Sequence, residues 1–396
     1  MTPLRSLWLW SGLLAGLVSD SGSTSSTQGA RVAMAFGSAA LAEHYPAPVR
    51  GSKHVEAVKV GLLIAGEDEG LAAKQGAEMA VAEANRGGGF GGRPFELIVR
   101  RVEGPWGSGS KAIVNLVFEE GVWAILGSLD GRGAHLAEQV VTKGRVVLIS
   151  AWATDPTLSQ INIPWFFRPV PDDRQQARAL VSEIFQARRL PRVATVAADG
   201  YDARVAATTF AQVARVAGYP LSVQLSYGEA GRDFEVVLSR IEDHGVEGVV
   251  LFGPPSPAAE LIRRMRARGM RQALFGPLSI ADYDFLDSVG SELEGAVLVA
   301  PGHWRARGKT FRQEFQDTYG YLPNAVAAYA YDGTRIIVRA IEQVGLDRER
   351  IRDAVANIHY MQGVTGPIRF DAKGNRLGPV GLVEIINGRP SFLDGA

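Results

Sequence analysis

Residues 58–99 read VKVGLLIAGEDEGLAAKQGAEMAVAEANRGGGFGGRPFELIV. Val58 to Ile64 is an apolar run of strand length. From Leu71 to Arg86, Ala77, Ala80, Val81 and Ala84 recur at helical spacing, and Phe95 to Val99 alternates as a strand does. The stretch is therefore one β-α-β unit. Its glycines, Gly87 to Gly92, follow the helix and precede the second strand, whereas a dinucleotide loop needs strand, glycines and then a helix N-terminus. They read as a helix C-cap and tight turn. The loop Ala65 to Gly70 has the strand-to-helix order but lacks a Lys-Ser/Thr ending, and Glu67, Asp68 and Glu69 repel phosphate. Those acids either complement the positive end of the helix or form an acidic wall facing a cationic group of a ligand.

The rhythm continues outward. Ser110 to Glu119 and Ala134 to Lys143 are helical, and Val122 to Leu126 and Val146 to Ile149 are strands. After Pro169 it restarts, with strands expected at Arg192 to Ala197, Ser222 to Ser226, Gly248 to Phe252, Leu274 to Phe275 and Ala296 to Ala300. Helices at Ala203 to Ala217, Phe234 to His244 and Pro257 to Arg268 separate them. Helices at Lys309 to Tyr319, Ala325 to Val344 and Arg348 to Ala356 follow, then strand-like Pro367 to Phe370 and Val380 to Ile386. This pattern specifies an α/β protein with two doubly wound parallel-sheet lobes. Open sheets of this kind bind ligands outside the carboxyl ends of their strands, so a cleft between facing lobes is the expected site. Its candidate loops are 65–70, 104–109, 127–133 and 150–156 from the first unit, and 198–202, 253–257 and 276–283 from the second.

The 396 residues are 46% apolar and 21% charged, with 42 basic and 42 acidic side chains. A zero net charge argues against a broad footprint for nucleic acid or an anionic membrane. The absence of cysteine excludes disulfides, thiolate metal sites and a Cys nucleophile. None of the six histidines is paired at metal-site spacing, and no Gly-x-Ser-x-Gly elbow is present, so no catalytic residue, metal site or cofactor is expected. Asp172-Asp173 reads as an exposed cap opening a helix at Arg174, and Arg263, Arg264, Arg266 and Arg268 as a solvated helix face. In residues 1–42, Arg5 precedes an apolar run from Leu7 to Val18, too short for a stable bilayer span. A Ser/Gly tract and Ala40-Leu41-Ala42 follow, so the segment is expected to act as an export signal. Residues 43–57 read as a linker.

Several ordered stretches carry a resemblance. They are residues 76–85 (GAEMAVAEAN), 88–94 (GGFGGRP), 120–127 (EGVWAILG), 150–156 (SAWATDP), 167–168, 233–234, 329–333 (YAYDG) and 363–371 (GVTGPIRFD). Over about residues 58–390 the chain resembles type I periplasmic solute-binding proteins, of the leucine/isoleucine/valine-binding group that serves ABC importers. The resemblance implies a three-stranded hinge. Lobe one would then be residues 58–169 plus 302–373, and lobe two residues 170–301 plus 374–396. It further implies a small-molecule ligand, membrane permease subunits as partners, a monomer, and a periplasmic or otherwise exported location.

Its ligand positions carry over in part. The family's loop hydroxyl falls on Gly131, leaving a backbone N–H for a carboxylate. The Ala-Thr pair is kept as Ala153-Thr154, with Trp152 in place of a small residue before it, and Thr154 would donate to a carboxylate. The aromatic gate is kept as Tyr201, while the acid that grips an α-ammonium appears as Leu278. A standard branched-chain amino acid is therefore disfavoured, since a buried ammonium without its acid is expensive. Asp130, Glu67 or Asp282 are the candidate replacements, and Arg132 is either a carboxylate ligand or a surface partner of Asp130. Trp106, Trp152 and Tyr201 suggest an apolar or aromatic ligand moiety, or lobe packing. A solute-binding protein is the leading reading, with a ligand-sensing module of the same fold as the alternative. An enzyme or a DNA-binding regulator lacks the residues it would need.

Overall fold

The computed structural model describes residues 56–102, 106–228, 233–358 and 361–393. The export segment, most of the linker, part of the 104–109 loop and the Trp106 side chain lie outside the described residues. The first sheet is built from β1 (Val58–Ile64), β2 (Phe95–Arg101), β3 (Ala124–Ser128), β4 (Val147–Ser150) and β5 (Phe166–Phe167), in the order β2-β1-β3-β4-β5. Every pair is parallel, with Val58 opposite Phe95, Gly61 opposite Ile125 and Leu148 opposite Phe166. Parallel strands need crossovers. Here these are α1 (Asp68–Arg86), α2 (Trp106–Val114) with a wider π-turn at Asn115–Glu119, and α3 (Gly131–Gly144). Strands β1, β3 and β4 are buried on both faces, apart from Lys59, which explains why they read as continuous apolar runs.

The chain then crosses to a second sheet. Helix α4 (Asp173–Val181) opens it, followed by β6 (Val193–Ala198), α5 (Tyr201–Val216), β7 (Val223–Tyr227), α6 (Phe234–Asp243), β8 (Gly248–Phe252), α7 (Pro255–Ala267), β9 (Ala273–Gly276), α8 (Tyr283–Val289) and β10 (Val297–Val299). It next returns to the first sheet with α9 (Lys309–Tyr319), α10 (Ala325–Val344), α11 (Arg348–Ala356) and the hairpin β11 (Met361–Gly363) and β12 (Gly366–Ile368). A third passage leads to β13 (Leu382–Ile386) and β14 (Arg389–Phe392), giving the order β14-β13-β10-β9-β8-β6-β7. The strands from β6 to β10 run parallel, but β13 and β14 are antiparallel, so the second sheet has an antiparallel edge that the parallel pattern did not include.

Local sequence explains the ends of these elements. Asp172 caps α4 through a reciprocal pair: Gln175 N–H donates to Asp172 Oδ1 (2.8 Å) and Asp172 N–H to Gln175 Oε1 (2.9 Å). Asn324 caps α10 and Asp347 caps α11. Helix α10 lies against α1, where Gly76 faces the Ala327 backbone, and Tyr331 Oη donates to Glu83 Oε2 at 2.5 Å. Asp332, buried in mid-helix, accepts from Val364 N–H, Thr365 N–H and the Thr365 hydroxyl at 2.9, 2.9 and 2.6 Å. It ties α10 to the hairpin turn, a structural role. Of the arginines on and just after α7, Arg264 and Arg268 are exposed as expected, and Arg266 is not. Arg264 and Arg268 pair with Glu235 and Glu260 or Glu242, and Arg266, half-buried, donates to the carbonyls of Met270, Gln272 and Glu292.

Two passages between the sheets run side by side. Arg168 N–H donates to Gly374 O (2.7 Å) and Arg376 N–H to Arg168 O (3.0 Å). Between them the Arg168 guanidinium is fully buried. It donates to Asp155 O (2.7 Å), Ala153 O (3.3 Å), Asn375 Oδ1 (2.6 Å), Asp172 Oδ2 (3.4 Å) and Ser159 Oγ (3.4 Å).

Candidate functional site

A cavity of about 290 Å³ lies where the strand-end loops of the two sheets meet. On the first side it is lined by Glu69 at the start of α1, Asp130 and Arg132 around the N-terminus of α3, and Trp152 and Thr154 after β4. On the second side stand Asp173 and Gln176 of α4, Tyr201, Asp202 and Ala206 of α5, Phe252 and Pro254 after β8, and Leu278 after β9. Another cavity, of about 260 Å³, surrounds Arg376 on the crossovers. That guanidinium is committed to Pro169 O, the Thr365 hydroxyl and the carbonyls of Thr365 and Pro367. The 290 Å³ cavity is the one at the carboxyl ends of the strands, where open α/β sheets place ligands.

Six of the candidate residues read from the sequence meet in this cavity: Asp130, Arg132, Trp152, Thr154, Tyr201 and Leu278. Ala153 does not line it; 1% exposed, it turns inward and its carbonyl holds Arg168. Leu278 is buried, and its N–H donates to Gln176 Oε1 at 2.9 Å. Glu67 and Asp282 are not among the lining residues, and Asp282 instead caps α8. Gly131 stands behind the wall. Its N–H donates to Asp202 Oδ1 at 2.9 Å, so the carboxylate it meets belongs to the protein. A Cβ at position 131 would lie 2.9 Å from Tyr201 Cε1 and 3.0 Å from both Asp155 Cβ and Asp202 Oδ1. Only a residue without a side chain lets the two walls approach this closely.

Helix α4 opens behind an Asp cap as expected, but the cap is not exposed. Asp172 and Asp173 are 6% and 5% exposed, a buried cap and not an exposed one. Asp173 N–H donates to Thr154 O at 3.0 Å, which draws the first turn of α4 onto the β4 loop and places Asp173 in the cavity wall. Burial pushes the Asp173 carboxyl well above the usual range, and the Thr154 hydroxyl beside it opposes the rise.

The walls are joined by a second bond. Tyr201 Oη donates to Asp155 Oδ2 at 2.8 Å, and the Arg132 guanidinium lies over the Tyr201 ring, 5.4 Å from its centroid. Burial and the bond to Asp155 push the Tyr201 hydroxyl up to about 12. Asp155 is itself buried, which would raise its carboxyl. Bonds from His135, Thr157 and Tyr201 outweigh that and hold it well below the carboxylate range. Thr157 donates both N–H (2.8 Å) and hydroxyl (2.7 Å) to Asp155 Oδ1, and His135 lies 3.5 Å from Oδ2. Bonding to Asp155 and Glu138 pushes the His135 imidazole up to about 9. Asp202 rises to about 6 through burial, with Asp130 and Asp155 adding to the rise and the Gly131 N–H opposing it.

Glu69, Asp173, Gln176 and Asp202 escaped the sequence reading of the site. Glu69 sat in the acidic first loop, where an acidic wall was one of two readings. Asp202 followed the aromatic gate directly. The site holds no nucleophile–base pair, and among the described residues no group of three or more His, Cys, Asp or Glu is placed to hold a metal ion. No helix among them is long and apolar enough to cross a membrane.

Comparison with known proteins agrees with this architecture. The model of the family described as "Periplasmic binding protein" matches residues 58–388. The leucine-, isoleucine-, valine-, threonine-, and alanine-binding protein of Pseudomonas aeruginosa is 22% identical, over 76% of this chain and 81% of that protein. Among solved structures, the isoleucine complex of the branched-chain amino acid transporter substrate binding protein of Streptococcus pneumoniae superposes with a TM-score of 0.75 at 21% identity. It covers 84% of this chain and 97% of that one. The benzoate complex of an ABC transporter solute binding protein from R. palustris gives 0.75 at 20% identity, over 85% and 95%. The chain thus belongs to the periplasmic binding protein family, whose members are solute-binding proteins of transporters and not enzymes.

Proposed function

We propose that this protein is the extracytoplasmic solute-binding component of an ABC importer, which captures a small organic ligand between its lobes and presents it to membrane permease subunits. The observation that carries this reading is the interlobe cavity, walled from both sheets and bridged by Tyr201–Asp155 and Gly131–Asp202. Bonds that join the walls only when the lobes meet make ligand capture and hinge closure one event. The relatives' ligands support a small organic solute, since the printed names include branched-chain amino acids and benzoate. The residues of the site bind and enclose, and no covalent step is assigned to them.

Calorimetric titration of the protein from residue 43 onward against amino acids, amides, aromatic acids, amines and short polyols tests the proposal. A compound that binds should lose at least tenfold in affinity in Tyr201→Ala. Loss of one hydrogen bond to a charged group is worth about 1.5–3 kcal/mol, and tenfold corresponds to about 1.4 kcal/mol. Equal affinity in wild type and variant would remove the cleft from the account.

A further inference from the structure

The donors around the cavity already face carboxylates of the protein itself. Gly131 N–H is on Asp202, the Tyr201 hydroxyl is on Asp155, the Trp152 indole faces Glu69, the Thr154 hydroxyl faces Asp173, and Arg132 lies 3.5 Å from Asp130. A ligand carboxylate would have to compete with one of these groups at each donor except Arg132, which is more than half exposed and loosely held. For a donor the position is the opposite. Asp173 lines the cavity, and its Oδ2 is buried and, among the described residues, has no hydrogen-bond partner; the residue is 5% exposed. The two terminal nitrogens of the neighbouring cation, Arg168, are bonded to Ala153, Asp155, Ser159, Asp172 and Asn375, and its Nε, likewise buried, makes no hydrogen bond to Asp173. A buried carboxyl oxygen without a partner costs free energy that a ligand can recover.

The charge around it has the same sign. Among the described lining residues four are acids, Glu69, Asp130, Asp173 and Asp202, against one guanidinium, Arg132. The rest of the lining includes the apolar surfaces of Trp152, Phe252, Pro254 and Leu278.

We propose that the cleft takes a small organic cation, an amine with an apolar body and no carboxylate, whose ammonium donates to Asp173 while Glu69 and Asp202 supply further negative charge. The inference rests on the solute-binding reading and specifies its ligand class. Burial raises Asp173 and Asp202, and neighbouring carboxylates raise them further, Asp172 and Asp202 acting on Asp173, and Asp130 and Asp155 on Asp202. A cation placed among them relieves both penalties, whereas an anion adds to them.

The test is calorimetry with matched probes: benzylamine, phenethylamine, cyclohexylamine and putrescine against benzoate, phenylacetate, phenylalanine and leucine. At least one amine should bind, and should bind more tightly than its matched acid. Asp173→Asn should weaken that amine at least 30-fold while the thermal midpoint is not lowered. Glu69→Gln, at an exposed position that does not threaten folding, should weaken it about threefold to tenfold, which keeps the test decisive if Asp173→Asn does not fold. A panel in which no amine binds, or amine binding unchanged in both variants, overturns the inference. Binding of benzoate, phenylalanine or leucine without the amines, abolished by Tyr201→Ala, also overturns it while leaving the solute-binding reading intact.

Discussion

Replacing Arg168 by methionine should lower the folding free energy by about 3–5 kcal/mol, the usual result of breaking a buried ion pair from one side. The side chain has no exposed surface. Its guanidinium is bonded to two main-chain carbonyls, of Ala153 and Asp155, to two oxygens of the crossover and α4, in Asn375 and Asp172, and to Ser159. Burial depresses its pKa, and the surrounding carboxylates, Asp172 first, oppose that. Methionine fills similar volume but leaves those acceptors unpaired inside the protein, and Asp172 keeps a charge with no counterion. The measurement is a urea unfolding curve: the midpoint should fall with little change in slope. A midpoint within experimental error of wild type would show that water already satisfies these groups and that the crossovers do not depend on Arg168.

The second large effect is expected at Gly76. On α1 it meets α10 so closely that an added Cβ would sit 2.1 Å from the Ala327 carbonyl oxygen and 2.8 Å from its carbon. The obstacle is backbone, which has no rotamer with which to yield. Gly76→Ala must force the two helices apart, against the small stabilisation that alanine gives a helix over glycine, about 1 kcal/mol. Overpacking of this kind costs about 1–3 kcal/mol, occasionally more, and we expect a net loss of about 2 kcal/mol in the same unfolding experiment. A more stable variant would mean that α1 and α10 are not held at this distance in solution.

These two sites also show what was legible in the sequence. The α1 helix was plain from Ala77, Ala80, Val81 and Ala84, and the β-α rhythm gave both sheets, because buried parallel strands leave unbroken apolar runs. The closeness to α10 was not legible, since Ala327 is 251 positions from Gly76 and nothing local marks the contact. The two-residue strand Phe166–Phe167 is too short to show a period, and β14 carries Arg389 and Pro390 in an edge position that reads as a turn.

The cleft divides in the same way. Trp152, Thr154 and Tyr201 were found because they stand at strand-end loops or matched a resemblance. Asp173 was missed because a pair of adjacent acids before a helix normally faces water. Here Arg168, five residues earlier, and Asn375, far along the chain, bury the turn that holds it. Gly131 was read as a lost hydroxyl. In the fold it is the clearance that lets Tyr201 and Asp202 close against Asp155 and α3.

The proposed ligand site is this interlobe cavity, and Trp152 reports on it directly, since its half-buried indole lines the cavity and faces Glu69. The protein has seven tryptophans, so the signal is assigned by difference. A compound that binds in the calorimetric panel should change the tryptophan fluorescence with the same dissociation constant. Trp152→Phe should remove most of that change while calorimetry still registers binding. A fluorescence change that persists in full in Trp152→Phe would place the ligand elsewhere and contradict the account.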